Sequence, residues 1–430
     1  MTLRPLIQLV GQSRPILELA KAKKAPATLF APTATHAIAV AALAKTGGVQ
    51  LVVTPTSRQA EEISETLREL AEEVEVIELP SWETLPHERL SPSAETIGRR
   101  LRALHRMHEV RTKVDHPVVI LLSIRAALQP VIGGLEDHPP FTLDRGKNYL
   151  LPELGLKLIE LAYDRVDMVT KRGEFAIRGG ILDVFPTTSE HALRLEFFGD
   201  ELEDIREFSV SDQRSLPSNV NQIELYAARE LLITPAVAQK AREMAGEFPN
   251  LKEMLEKISN GIPAEGMESL APVLASKLGP VTDYLSKTAK VILVDPEKLA
   301  SRAESLVQTN QEFLHAAWDA AISGSAAPID LAAGGFYEFS QLQDLITQPT
   351  LSLSALNTEA AFELGLREIP RFGPEELIEW LADQQKSKQR IVITTQGHGT
   401  AERIVEILEK AQLPVILTEA LGNPAAEHIT

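Results

Sequence analysis

A chain of 430 residues that is 44% hydrophobic and 24% charged has a globular balance and room for roughly two to four domains. It has no cysteine, which excludes disulfides, thiolate chemistry and Cys-ligated zinc, and no apolar run near the ~20 residues that span a bilayer. A net charge of −17 repels a phosphate backbone, so broad duplex binding is not expected, and the chain reads as cytoplasmic.

Residues 1–128 read as α/β. "ATLFAPTATHAIAVAAL" (27–43) has the layout of a phosphate loop: apolar strand, tight connection, Ala-rich helix. Such a loop needs glycines to wrap phosphates, a Lys for the β/γ-phosphates and a Ser or Thr for magnesium. Here Ala31, Pro32, Thr33, Ala34, Thr35, His36, Ala37 and Ile38 supply no glycine and no lysine, and Pro32 also removes an amide. A helix start without bound nucleotide is the expectation. "LVVTP" (51–55) reads as a buried strand leading into a helix with Thr56 and Gln59 at capping-box spacing and Ile63, Leu67 and Leu70 on one face. "VEVIELP" and "VVILLS" are further strands, so a parallel sheet covered on both sides is expected. Between them, "ETIGRRLRALHRMHEVR" is a basic helix with Ile97, Leu101, Leu104 and Met107 inward. Its Arg99, Arg100, Arg102 and Arg106 then read as a solvated face.

From about 129 to 212 the pattern turns to period 2 with Gly and Pro at the turns, an antiparallel β region inserted in the α/β domain. Along "EFAIR", Phe175 and Ile177 share one face and Glu174, Ala176 and Arg178 the other. Along "LRLEF", Leu193, Leu195 and Phe197 oppose Arg194 and Glu196. In "ILDVF", Phe185 falls on the face of Asp183. Paired strands would then gather arginines and an aromatic on an exposed sheet face, the make-up of a protein-binding surface. The alternative is that Phe185, beside Pro186, tucks under a loop edge.

Helices return over 213–350 around the strand "KVILVDP", where Asp295 reads as the cap of the next helix. Residues 351–369 are weakly patterned and read as a linker. Residues 370–430 read as a small α/β domain with strands at 390–395 and 414–418, helices at 375–385 and 400–411, and Thr400 as an N-cap. The Gly-x-Gly at 397–399 lacks the third glycine of a dinucleotide site. No metal-ligand spacing appears among the ten histidines.

"YDRVDMVTKRGEFAIRGGILDVFPTTSEHALRLEFFGDELEDIREFSVSDQRS" (163–215) is similar to the UvrA-binding domain of UvrB, and closer still to the matching domain of the bacterial transcription-repair coupling factor (Mfd) family. "ELPSWETLPHERLSPSAETIGRRLRALHRM", "NGIPAEGMESLAPVL" and "VTDYL" resemble that family too, so the resemblance covers nearly the whole chain. UvrB carries a working phosphate loop and a Tyr-rich hairpin that probes damage; "APTATHAI" and "SWETLPHERLSPS" stand in those places.

The resemblance implies a degenerate RecA/helicase-like domain, an inserted UvrA-binding domain and a small α/β domain, with neither ATPase nor damage-probing activity. It implies no cofactor here, with ATP and magnesium in the motor domains of the full-length factor. UvrA is the implied partner, held by Arg165, Arg178 and Phe185, with Arg172 and Arg194 as weaker candidates. RNA polymerase and DNA would be reached through downstream domains, and the factor's C-terminal domain would cover the UvrA surface. The competing reading is a divergent phosphate-loop nucleotide hydrolase related to UvrB.

Overall fold

The computed structural model describes residues 4–21, 27–112, 114–135, 139–218, 220–323, 326–331, 335–356, 362–364, 369, 371–387, 391–395, 397–418 and 429. Two short helices, α1 (Arg4–Gly11) and α2 (Arg14–Lys21), precede β1 (Ala27–Phe30), α3 (His36–Ala44), β2 (Val49–Thr54) and α4 (Ser57–Leu70). β3 (Glu75–Glu78), α5 (Ala94–Thr112), β4 (Val118–Ser123) and α6 (Ile124–Leu128) follow. The α4 start is as read: Thr56 Oγ1 accepts from Gln59 N at 3.2 Å.

A seven-stranded parallel sheet forms from these strands with β14 (Lys290–Val294), β15 (Thr350–Ser354) and β16 (Phe362–Glu363), in the order β16-β1-β15-β14-β2-β4-β3. The register builds both faces. Leu351, Ile292, Val52 and Leu121 line up across four strands in one apolar layer with α3 and α4. Val291, Leu51 and Ile120 line up one residue earlier, in the layer shared with α5 and α11 (Pro296–Ile322). Strands buried on both faces must be continuously apolar, which is why β2 and β4 show no alternation. β15 was expected to lie in a linker. Its Leu351 and Leu353 are buried between β1 and β14, while its intervening serines weaken the sequence signal.

The β region starts after the two-residue β5 (Val131–Ile132) and continues beyond 212. β6 (Phe141–Asp144) pairs antiparallel with β12 (Gln222–Leu225). Between them, α7 (Leu151–Glu160) lies against a five-stranded sheet of β7 (Asp164–Arg165), β8 (Glu174–Arg178), β9 (Ile181–Val184), β10 (Ala192–Phe198) and β11 (Glu201–Phe208), in the order β11-β10-β9-β8-β7. Neighbours from β8 to β11 are antiparallel; β7 is parallel to β8. The chain returns through α8 (Pro235–Met244), α9 (Lys252–Ser259), α10 (Ala271–Leu274) and β13 (Leu278–Gly279), which pairs with β5.

α11 is followed by α12 (Phe339–Leu345), and the last part holds α13 (Pro374–Lys386) and α14 (His398–Lys410) around Leu381, Leu408, Leu413 and Ile429. Among the described residues the strands expected at 390–395 and 414–418 are not formed. Residues 391–395 make no ladder, Arg390 lies outside the described residues, and Val415 makes only an isolated bridge to Ile429. Thr400 is inside α14, whose N-cap is Gly397. Among the described residues no helix is long and apolar enough to cross a membrane.

Candidate protein-binding site

The strand–turn–helix at 27–44 closes on itself. Ala31 N donates to Ser354 O at 3.0 Å, and Thr35 donates through both N and Oγ1 to Pro32 O at 2.8 Å, giving a single 3₁₀ turn where a phosphate loop would be wide. His36, 1% exposed, donates from Nε2 to Ala31 O at 2.9 Å. The imidazole therefore fills the turn from inside. Asp295 lies at the N-cap position of α11 but does not cap it. In a left-handed conformation (φ 49°), it accepts from Ala355 N at 3.1 Å and from Lys298 Nζ at 2.8 Å. The capping role read from the sequence is corrected accordingly. Among the described residues no three His, Asp or Glu side chains are grouped to hold a metal.

Burial pushes the His36 pKa below its ordinary value of 6.5, against a smaller opposing pull from Asp295. The unfolded chain then takes up a proton that the folded chain refuses. Stability is full above about pH 6.5 and falls with pH down to the depressed folded value. In urea melts across about pH 5 to 7.5, His36→Gln should flatten this part of the profile. Parallel wild-type and variant profiles would remove His36 as its source.

On the inserted sheet, one face is core. Phe175, Leu182, Val184, Leu193 and Leu195 are buried, and Ile177 packs against them. The other face is set by register: Ala176, Asp183, Arg194 and Arg206 form one cross-strand row, and Arg178, Ile181, Glu196 and Asp204 the next. Phe185 N donates to Glu174 O at 2.9 Å, which puts Phe185 one row further in.

That inner end is closed, not the open surface expected. Phe185 is 7% exposed and packs with Val169, Ala176, Ala192 and Phe208. The Arg172 guanidinium lies 5.0 Å from the Phe185 ring centre while Nη1 meets Glu95 at 3.1 Å and Nε meets Ser189 O at 3.0 Å. Arg194 sits 4.8 Å from the Phe208 ring and holds Asp183 bidentately at 2.7 and 2.9 Å. Phe185 thus follows the tucked-under alternative, beneath an arginine as well as a loop. Asp183, Phe208 and Glu95 complete the arrangement. Glu95 could not be found from strand pattern because it comes from α5.

The five residues expected to act together are dispersed. Arg172, Phe185 and Arg194 share the closed end, and Arg178 stands exposed at the opposite end. Arg165 is exposed on the edge strand β7, in register with Phe175, hence on the other face. Beside the closed end, a cleft of about 650 Å³ separates the insert from the body, lined by Ser93, Glu95, Lys171, Arg172, Phe185 and Arg229.

Segment 81–93 is fixed to the body. Arg89 donates from Nε to Ala327 O at 2.7 Å and from Nη2 to Asn250 O at 3.1 Å. Ser91 Oγ donates to Glu268 at 2.6 Å and accepts from Arg229 at 2.8 Å and Gly266 N at 2.9 Å. Arg100 of α5, read from the sequence as solvated, is fully buried against Glu230 because the segment around Trp82 folds over it.

Residues 141–231 match the family model described as the UvrB interaction domain. The chain is 39% identical over 413 residues to the transcription-repair-coupling factor of Mycobacterium bovis, an alignment spanning 90% of this chain and 33% of that protein. Against the transcription-repair-coupling factor of Bacillus subtilis it is 29% identical over 283 residues, 61% of this chain and 23% of the relative. The Escherichia coli protein of that name gives 28% over 264 residues, 60% and 22%. The chain thus spans about a third or less of the length of these relatives. With the inserted sheet inside the matched 141–231 and the likeness running through the α/β body on either side, the chain belongs to the transcription-repair-coupling factor family as its N-terminal, UvrB-like portion.

Proposed function

We propose that this chain recruits UvrA to sites where RNA polymerase has stalled at a lesion, acting in the cytoplasm as a protein-binding module. The observation that carries the proposal is the coincidence of the UvrB interaction domain with the inserted five-stranded sheet, whose Arg178 is exposed with no ion-pair or hydrogen-bond partner among the described residues. A cation left unpaired on a chain of net charge −17 suits a partner that brings its own carboxylate. Polymerase and DNA contacts, ATP and magnesium belong in this proposal to other segments of a full-length factor, and so does the C-terminal domain proposed to cover the UvrA surface. Nucleotide hydrolysis is not assigned to residues 31–38, because His36 occupies the turn that phosphates would need. Damage probing is not assigned to 81–93, whose polar groups are spent on the body.

Arg178→Glu should weaken capture of purified UvrA by about 30-fold, the effect of losing ~2 kcal/mol at an interface anchor. Its circular dichroism and melting should match wild type, because the side chain supports nothing in the fold. Undiminished capture by the folded variant would end the proposal.

A further inference from the structure

The outer end of the arginine-bearing face differs from the inner end in being open, with two exposed apolar side chains among its charged ones. Phe198 is 76% exposed and Ile181 37% exposed. Their placement follows from the register. The irregularity between Glu196 and Phe197 skips Glu203 on β11, so β10 keeps its alternation, and Phe198 shares a face with Glu196 and Arg194. Phe197 N donates to Gly180 O at 2.8 Å, which brings Phe198 beside the Gly179–Gly180 turn that joins Arg178 to Ile181. That turn can run this close because a Cβ on Gly180 would stand 2.9 Å from Phe197 O. Gly179 and Gly199 take φ of 59° and 63°, so two tight hairpin turns hold the patch in place.

An exposed aromatic on a rigid turn costs solubility and contributes nothing to the core. The neighbouring core position is already filled by Phe197, which packs inward. The other arginines of the face are each engaged: Arg172 by Glu95, Arg194 by Asp183, Arg206 by Asp204. Arg178 is the exception among them.

We infer that the energetic centre of the partner interface is this outer end, with Phe198 and Ile181 as apolar anchors and Arg178 as the ionic one. Phe185 and Arg172 stay packed into the closed inner end of the same face. The partner surface that fits is an apolar socket with a carboxylate at its rim. Aromatic and arginine anchors surrounded by weaker contacts are the usual make-up of a hot spot. The inference rests on the UvrA-recruiting reading and assigns that interface to particular side chains.

The test titrates purified UvrA against the immobilised 430-residue chain in five forms: wild type, Arg178→Glu, Phe198→Ser, Ile181→Ser and Ile322→Ser. Ile322, 86% exposed at the end of α11, is the distant control. Phe198→Ser should weaken binding about 30-fold and Ile181→Ser about 5-fold, with Ile322→Ser unchanged. Wild-type melting curves are expected throughout, because Phe198 supports no core packing. If wild type binds and Arg178→Glu does not, but Phe198→Ser binds normally, the anchor assignment is overturned and the recruiting reading stands. If wild type does not bind UvrA, both fall. A wild-type dimer in sedimentation that Phe198→Ser converts to monomer would assign the patch to a second copy of the chain and overturn the inference.

Discussion

Arg100→Met should cost about 3–5 kcal/mol of folding stability, the usual penalty for stranding one member of a buried ion pair. Both side chains of the Arg100–Glu230 pair are 0% exposed, with Nε and Oε1 2.5 Å apart. The pair also ties three segments together. Trp82 Nε1 donates to the same Glu230 oxygen at 2.9 Å, Arg100 Nη1 donates to Pro80 O at 2.7 Å, and the guanidinium lies 5.6 Å from the Trp82 ring centre. Methionine fills much of the arginine's volume but leaves the Glu230 carboxylate uncompensated. Adding Glu230→Gln removes that charge while the glutamine carbonyl still accepts from the indole. Arg100→Met with Glu230→Gln should therefore be clearly more stable than Arg100→Met alone, giving a coupling energy of about 1–3 kcal/mol. Urea melts of the four proteins measure it. A cost below about 1 kcal/mol for Arg100→Met would show that the site relaxes around the lost charge.

The same residue marks where sequence reading stopped. The parallel sheet was legible because strands buried on both faces leave unbroken apolar runs such as 118–122. The strand alternation of the insert was legible because one face had to be core. Arg100 was not, because its partner lies 130 residues away and nothing local separates a buried arginine from a solvated one on a basic helix. Phe185 was assigned to the right face but the wrong environment. Arg172, which covers it, arrives from a loop and is itself held by Glu95 of α5. β15 was lost for the opposite reason, since three of its five residues are Ser or Thr and its burial comes from strands far off in sequence. Local pattern therefore gave elements and faces, and the emptiness of the phosphate-loop turn, which closes on bonds three to five residues apart, whereas the closure of the inner sheet end depended on contacts between distant segments.

Gly98→Ala should destabilise the chain by about 1–3 kcal/mol, although alanine is the better helix former by roughly 0.5–1 kcal/mol. Gly98 lies within α5, where the helix meets the insert. A Cβ there would stand 2.3 Å from Thr187 Oγ1, 2.5 Å from its Cβ and 2.9 Å from its carbonyl carbon. Thr187 is 0% exposed and cannot step aside easily. Its Oγ1 donates to Tyr226 O at 3.4 Å and its N donates to Tyr163 Oη at 3.3 Å. Tyr163 in turn donates to Tyr226 O at 3.0 Å, and burial pushes its pKa up to about 12, so it remains a neutral donor. The clash is therefore relieved only by moving the insert away from α5. Gly155 of α7 is the control, because its Cβ would meet the tip of Ile177, Cδ1, at 3.1 Å and otherwise only Phe175 Cε2 at an ordinary contact distance of 3.9 Å. Gly155→Ala should fall within about 1 kcal/mol of wild type, on the stabilising side if Ile177 shifts rotamer. Gly98→Ala should also raise protease sensitivity at the junctions of the insert, while its folded fraction still captures UvrA, since Arg178 and Phe198 lie at the far end of the sheet. Equal melting temperatures for Gly98→Ala and Gly155→Ala would mean that α5 and the insert are not held in fixed contact at this point.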